Sequence, residues 1–198
     1  MKNHDRERFV EAVRFALEAH AHQTRKGSQI PYASHLLQVA GLVLEHGGDA
    51  EQAAAAVLHD AVEDCEEIDD AALRRRFGAG IADIVLECTD VLPGDRPGVK
   101  SPWLIRKRRY VARLSQADAR TRLVAACDKL HNLRSVVADL HAEGPASLAR
   151  FKGTPEQTRG YYEAVRGVLA PDLPERLIRE LDALLDELRR FVPSSAFE

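Results

Sequence analysis

Residues 53–64, AAAAVLHDAVED, constrain this chain more than any other stretch. They open with strong helix formers and read as apolar on almost every side. A helix that is apolar all round has to be buried. Yet within two turns the same run carries four ionisable groups, His59, Asp60, Glu63 and Asp64. An isolated carboxylate is expensive to bury. Whatever fold forms must therefore enclose this helix and still give its charges partners.

Helical periodicity extends through the rest of the sequence. Over 6–22, Phe9, Val13, Ala16 or Leu17, and His20 recur at the helical period. SHLLQVAGLVLEHGG predicts a second helix, capped by Ser34 and stopped by Gly47-Gly48. The alanine-rich helix is expected over about 50–64, followed by DDAALRRRFG ending at Gly78, then a helix over 79–89 with Ile81, Ile84, Val85 and Cys88 inward. TDVLPGDRPGVKSP, residues 89–102, is too rich in proline and glycine for regular structure and is expected to be a loop. Ser101-Pro102 reads as a cap with proline at the first helical position, opening the basic helix WLIRKRRYVARL.

Residues 119–140 predict a long helix with Leu123, Cys127, Leu130 or His131, and Arg134 or Val137 inward, broken by Gly144-Pro145. Thr154-Pro155 restarts a helix containing Tyr161 and Tyr162. The stripe Leu177, Leu181, Leu184 or Leu185, Leu188 makes the last helix, about 174–191, a packing element. No sheet, repeat or glycine-rich phosphate loop is evident. The expectation is one all-α domain spanning 1–198, a bundle of about eight or more helices, with 171–192 as a packing helix.

Composition narrows the classes. With 198 residues and a net charge of −3, the chain gives no general reason to bind nucleic acid. No apolar run of about 18 residues suggests a membrane span. The opening MKNHDRERFVEA lacks the apolar stretch of a signal peptide. Cys65, Cys88 and Cys127 form no CxxC pair and read as free thiols of a reducing compartment. A cytoplasmic protein without nucleic-acid or membrane partners is expected; the oligomeric state is left open.

Metal coordination would give the charged helix its partners. His59 and Asp60 lie about 100° apart around a helix and can converge on an ion at its edge. Glu63 and Asp64 stand one turn further on. The rest of a metal shell must come from elsewhere, and His35 and Asp128 sit among apolar neighbours on other helices. Two imidazoles and two carboxylates suit Mn, Fe or Zn better than an all-oxygen Ca site. Spacing alone leaves a second reading open, in which His59 is a partly buried residue paired with a carboxylate. For a substrate, Arg25 and Lys26 offer a cationic loop shortly before His35, and Lys107, Arg108 and Arg109 a second cationic region. Each is equally readable as a solvated face. Asn132 falls on the Asp128 face of its helix. His131 reads as a support or a core histidine rather than a ligand.

In combination, AHAHQTRKGSQIPYASHLLQVA, AAAVLHDAVEDC, LRRRFGAGIADIVLECTD and ACDKLHNLRSV resemble the HD-domain small alarmone hydrolases, relatives of the hydrolase half of RelA/SpoT enzymes. YYEAVRGVL, with Tyr161, resembles that family's last substrate-side helix. The resemblance implies metal ligands at His35, His59, Asp60 and Asp128, a catalytic acidic pair at Glu63 and Asp64, and nucleotide contacts at Arg25, Lys26 and Asn132. Lys107 and Tyr161 join these as expected substrate contacts. It further implies Mn²⁺ and removal of pyrophosphate from the 3′ position of guanosine 3′,5′-bis(diphosphate). One departure is Leu36 after His35, where the family commonly has proline. Alternatives are an HD-type 5′-nucleotidase or other nucleotide phosphohydrolase, a silent nucleotide-sensing module, and a purely structural helical protein. The last leaves the buried charges unexplained.

Overall fold

The computed structural model describes residues 3–65, 68–90, 101–169 and 173–197. In chain order the helices are α1 (Asn3–Ala19), α2 (Ala33–Glu45), α3 (Ala50–Leu58), α4 (Ala61–Asp64), α5 (Asp70–Phe77), α6 (Ala79–Cys88), α7 (Trp103–Leu114), α8 (Ala119–Glu143), a 3₁₀ helix Pro145–Arg150, α9 (Pro155–Leu169) and α10 (Glu175–Phe191). Among the described residues the one β pairing is an isolated bridge between Thr24 and Pro31. The architecture is all-α, as expected. None of these helices is long and apolar enough to cross a membrane.

Four consecutive alanines set the centre. Residues 53–58 of α3 are all 0% exposed, and α1, α2, α6 and α8 pack around them. Small side chains let several helices approach one axis at once, and the larger residues needed for core volume come from the neighbours. These include Leu36, Val39 and Val43 of α2, Ile81 and Val85 of α6, and Leu130 and Leu133 of α8. α10 lays Leu177, Leu181, Leu185 and Leu188 against α8 and α9, while α7 packs on α9.

Several local expectations change. The helix expected over 50–64 is two helices. α3 stops at Leu58, His59 and Asp60 stay in the right-handed region (φ −59° and −95°), and α4 resumes at Ala61. Both residues keep right-handed backbone angles, and their side chains meet at one edge, with His59 Nε2 3.0 Å from Asp60 Oδ2. Ser34 does not cap α2. The first turn follows Tyr32, which makes no side-chain cap, and the Ser34 N–H donates to the Pro31 carbonyl instead. α7 is preceded by Pro102 as its flanking residue, so that proline lies outside the helix rather than at its first position. α1 ends at Ala19, and buried His20 follows it. α8 runs three residues further than expected, to Glu143, and its inward residues include both Leu130 and His131. Arg134 is exposed and pairs with Glu180, whereas Val137 is buried. Of the expected loop over 89–102, residues 91–100 lie outside the described residues.

α3 depends on its start. The Asp49 carboxylate accepts from the Gln52 N–H at 2.9 Å, and the Gln52 side chain accepts from the Asp49 N–H at 3.0 Å, a reciprocal capping box. Asp49→Ala is expected to destabilise the fold by about 1 kcal/mol. For a chain of this size that lowers the melting temperature by roughly 2–4 °C. Calorimetry checks it, with metal content expected to be unchanged because the cap lies at the far end of α3 from His59.

Candidate metal centre

Two helices and the junction between α3 and α4 converge on a buried cluster. α2 supplies His35 from its first turn, the α3–α4 junction supplies His59 and Asp60, and α8 supplies Asp128. His35, His59 and Asp128 are 1%, 2% and 4% exposed, and their donor atoms lie within 4.8 Å of one another. The distances define a four-sided arrangement. His59 Nε2 is 3.0 Å from Asp60 Oδ2 and 3.5 Å from Asp128 Oδ1. His35 Nε2 is 3.6 Å from Asp60 Oδ2 and 3.3 Å from Asp128 Oδ1.

These contacts are close, yet neither Nε2 atom makes a hydrogen bond. Orphaned buried ring nitrogens are costly. Here both point, with both carboxylates, at a shared space rather than directly at one another. That donor set fits a divalent ion of borderline softness. The tautomers agree. His59 Nδ1 lies 2.7 Å from the Ala56 carbonyl oxygen, which can only accept, so Nδ1 carries a proton and Nε2 is the ring atom left to meet an ion. His35 Nδ1 lies 2.8 Å from His131 Nδ1. Burial, followed by the charges of His35 and Arg25, pushes His131 down to about 4, so it is neutral and can accept from His35.

The electrostatics favour the charged carboxylates. Burial alone would raise Asp128, but Lys129 and His59 outweigh it and hold it well below the usual range. Burial likewise acts to raise Asp60, and His59 with His35 more than reverses this. Burial would depress the His59 imidazolium, yet the carboxylates of Asp60 and Asp128 hold its pKa well above the ordinary value. Each carboxylate is also fixed from outside the cluster. Tyr32 donates its hydroxyl to Asp60 Oδ2, and burial followed by the Asp60 charge raises the Tyr32 pKa so that it stays a donor. Lys129 donates to Asp128 Oδ2 and Asn132 to Asp128 Oδ1.

The cluster adjoins a cleft of about 520 Å³. Tyr32, Lys129, His131 and Asn132 touch the cluster and also line this cleft. Arg25, Lys26, Lys107 and Tyr161, expected as substrate contacts, line it too. Arg25 donates to Asn132 Oδ1 at 2.8 Å, and its guanidinium lies 5.7 Å from the Tyr32 ring centre. Lys26 sits over Phe151. Lys107 donates to Asp90 at 2.6 Å and lies 5.2 Å from the Tyr161 ring. Burial acts against its charge, but Tyr161 and Asp90 hold the ammonium, with a further contribution from Glu63. Arg108 and Arg109 do not line the cleft.

The acidic pair diverges. Glu63 is half-buried on α4, close enough for its charge to act on Lys107. Asp64 is exposed and accepts from Gln23 Nε2 at 2.8 Å, and it borders a separate hollow between α1 and α5. Several residues here were not assigned from sequence: Gln23, Tyr32, Asp90 and Lys129. Gln23 and Tyr32 belong to the same short stretch as Arg25, and Lys129 adjoins Asp128; that proximity was their only signal. Asp90, which also pairs with Arg106, closes the stretch LRRRFGAGIADIVLECTD, which carries the resemblance without giving this residue a role.

Comparison with known proteins agrees with this geometry. The model of the HD domain matches residues 12–152. A guanosine-3′,5′-bis(diphosphate) 3′-pyrophosphohydrolase, MESH1, of Xenopus tropicalis is 36% identical over 135 residues, covering 65% of this chain and 69% of that protein. A probable enzyme of the same activity from a Synechocystis species is 34% identical over 136 residues, 69% of this chain but only 17% of that longer protein. The structure of a metazoan SpoT ortholog described as hydrolysing ppGpp superposes with a TM-score of 0.71 at 26% identity, covering 91% of this chain and 94% of the other.

If the cluster holds a divalent ion, His59→Ala is expected to abolish stoichiometric metal binding, measured by elemental analysis. Retention of wild-type content would remove His59 from the ligand set. Chelation of the wild-type protein should lower its melting temperature, since a ligand bound by the native state alone adds to stability. His131→Phe is expected to keep the ion but weaken its affinity about 10–100-fold, because His35 loses the partner that fixes its ring. A metal titration of the stripped variant checks this.

Proposed function

The chain belongs to the HD-domain family, and on that footing we propose that it is a divalent-metal-dependent 3′-pyrophosphohydrolase of guanosine 3′,5′-bis(diphosphate), releasing GDP and pyrophosphate. The observation that carries this reading is the buried His35–His59–Asp128 cluster, with Asp60 beside it, adjoining a cleft lined by Arg25, Lys26 and Lys107. The named activities of the similar proteins supply the substrate. In this proposal residues 1–198 act as one hydrolase domain, and Mn²⁺ is the preferred ion.

His35, His59, Asp60 and Asp128 would hold the ion. When bound, it would supply Lewis acidity, lowering the pKa of water and polarising a phosphoryl group. The remaining roles fall to the chain. Tyr32, Lys129 and Asn132 fix the carboxylates, so the site is organised before substrate arrives. Glu63 orients the attacking water and receives its proton, being half-buried and near the cleft's Lys107. Asp64, held by Gln23, serves beside it as an exposed proton acceptor in contact with solvent. Arg25, Lys26 and Lys107 neutralise phosphate charge, and the planar Arg25 guanidinium, already over the Tyr32 ring, offers its remaining donors to phosphate or base.

Product analysis decides between this reading and a nucleotide phosphatase. Chromatography of the nucleotide, with separate assays for pyrophosphate and orthophosphate, is expected to give GDP and intact pyrophosphate in equal amounts. Pure orthophosphate release, or activity confined to nucleoside monophosphates, would reject the alarmone reading. Glu63→Gln is expected to retain the ion while slowing turnover about a hundredfold or more. Arg25→Ala should raise KM while leaving metal affinity near that of the wild type, as kinetics and metal titration can show.

A further inference from the structure

Beyond α10 the chain turns back across α9. Arg159 donates to the Val192 carbonyl at 2.7 Å, and the Ala196 N–H donates to the Glu156 carbonyl at 3.1 Å. Between these ties residues 193–196 are exposed. The segment is anchored at its ends, by buried Val192 and by half-buried Phe197, so core burial does not explain its path.

Phe197 does not line the cleft. It packs behind two residues that do. Its ring centre lies 5.8 Å from that of Tyr161 and 6.5 Å from that of Trp103, and those two rings meet edge to face at 5.9 Å. Tyr161 is also flanked by Tyr110 and Tyr162. Two glycines make the arrangement possible. A Cβ on Gly160 would come within 2.6 Å of the Phe197 Cβ, and a Cβ on Gly153 within 2.9 Å of the Trp103 ring. Neither approach tolerates a side chain on the glycine. The sequence thus leaves room for this aromatic stack at two separate points.

The stack ends on functional groups. The Tyr161 hydroxyl is buried without a hydrogen-bond partner, on a residue that lines the cleft. Its ring carries the Lys107 ammonium at 5.2 Å. An unpaired buried hydroxyl is costly unless a ligand completes it, and a ring that moves takes the cation with it.

We infer that residues 192–197 form a strap, and that Phe197 is a positioning residue for substrate: it braces Tyr161 and Trp103 from behind, so that the Tyr161 hydroxyl and the Lys107 ammonium meet the phosphorylated nucleotide in fixed places. The inference rests on the proposed function for the identity of that nucleotide and on the aromatic stack for the role of the strap. Phe197 acts on binding rather than on the ion, because it meets Tyr161 and Trp103, while the stack's link to the metal cluster runs through the far ring, Tyr110, and Lys129.

The test uses Phe197→Ala and Gly160→Ala, the second displacing the strap from its other side. Trp103 is the sole tryptophan, so its emission reports the state of the wall. Both variants should shift that emission to the red and raise KM for guanosine 3′,5′-bis(diphosphate) about three- to tenfold, with kcat changed less, as expected for loss of one or two aromatic pairs. Phe197→Tyr should restore the wild-type KM. In a Tyr161→Ala background the effect of Phe197→Ala should fall away, because the two act through one contact. A shifted emission with unchanged KM would overturn the inference. Titration of Trp103 emission with GDP and with inorganic pyrophosphate needs no turnover and separates the two proposals. If the wild type binds either probe more tightly than Phe197→Ala does, the strap stands even when the 3′-pyrophosphate is not cleaved, and only the functional reading fails. Equal binding by both proteins, or no binding of either probe to the wild type, overturns the strap.

Discussion

Placing ionised carboxylates inside a helical core is the constraint on which the rest of this structure depends. An unpaired buried charge costs several kcal/mol or more, enough to consume much of a domain's net stability. Asp128 lies at 4% exposure in the middle of α8, so it has to be surrounded by compensating groups. Lys129 and Asn132 come from the same helix, and His35 and His59 from two others. The packing of α2, α3 and α8 can be read as the solution to this one problem, since those helices bring the compensating groups together.

The same constraint bears on the end of α3. The helix closes at Leu58, and the next two residues, still right-handed in backbone angle, bring Asp60 Oδ2 to 3.0 Å from His59 Nε2. Alanine makes the enclosure possible. With little side-chain volume on α3, four helices reach its axis, and two of them carry ligands to the cluster, α2 through His35 in its first turn and α8 through Asp128. Outward from it the polar contacts run without interruption, from Asp60 to Tyr32 and from Asp128 through Asn132 to Arg25, so the cluster and the cleft form one connected system. A second set of charges, Asp90 with Arg106 and Lys107, holds the other side of the cleft.

Much of this was legible in the residues. Periodicity located the helices, because an apolar stripe at the helical period has no other economical burial. The leucine stripe of α10 was read correctly for that reason, and α9 does start at Pro155 as Thr154-Pro155 indicated, with Thr154 Oγ1 accepting from the Gln157 N–H. His35, His59, Asp60 and Asp128 stood out because charged groups among apolar neighbours need a partner, and the structure does gather them. Features set by a single hydrogen bond were less legible. Ser34 is a good capping residue by type, but the Tyr32–Pro31 turn already defines the start of α2. Arg134 fits the inward period of α8 as well as Val137 does, and only the position of Glu180 on α10 decides that it faces out.

Sequence by itself determined the helical class, the enclosure of α3 and the identity of the residues whose charge had to be compensated. These follow from local propensity and from the cost of desolvation, which act on each segment wherever it is placed. Tertiary structure alone decided the rest. Tyr32 is 28 residues from Asp60, Gln23 is 41 from Asp64, and Arg25 is 107 from Asn132. Phe197 reaches Trp103 only because α9 packs on α7 and the chain beyond α10 turns back across α9. Such contacts are set by the relative placement of helices packed on a shared core, and no local pattern encodes the distance between two side chains that meet only after that core has formed.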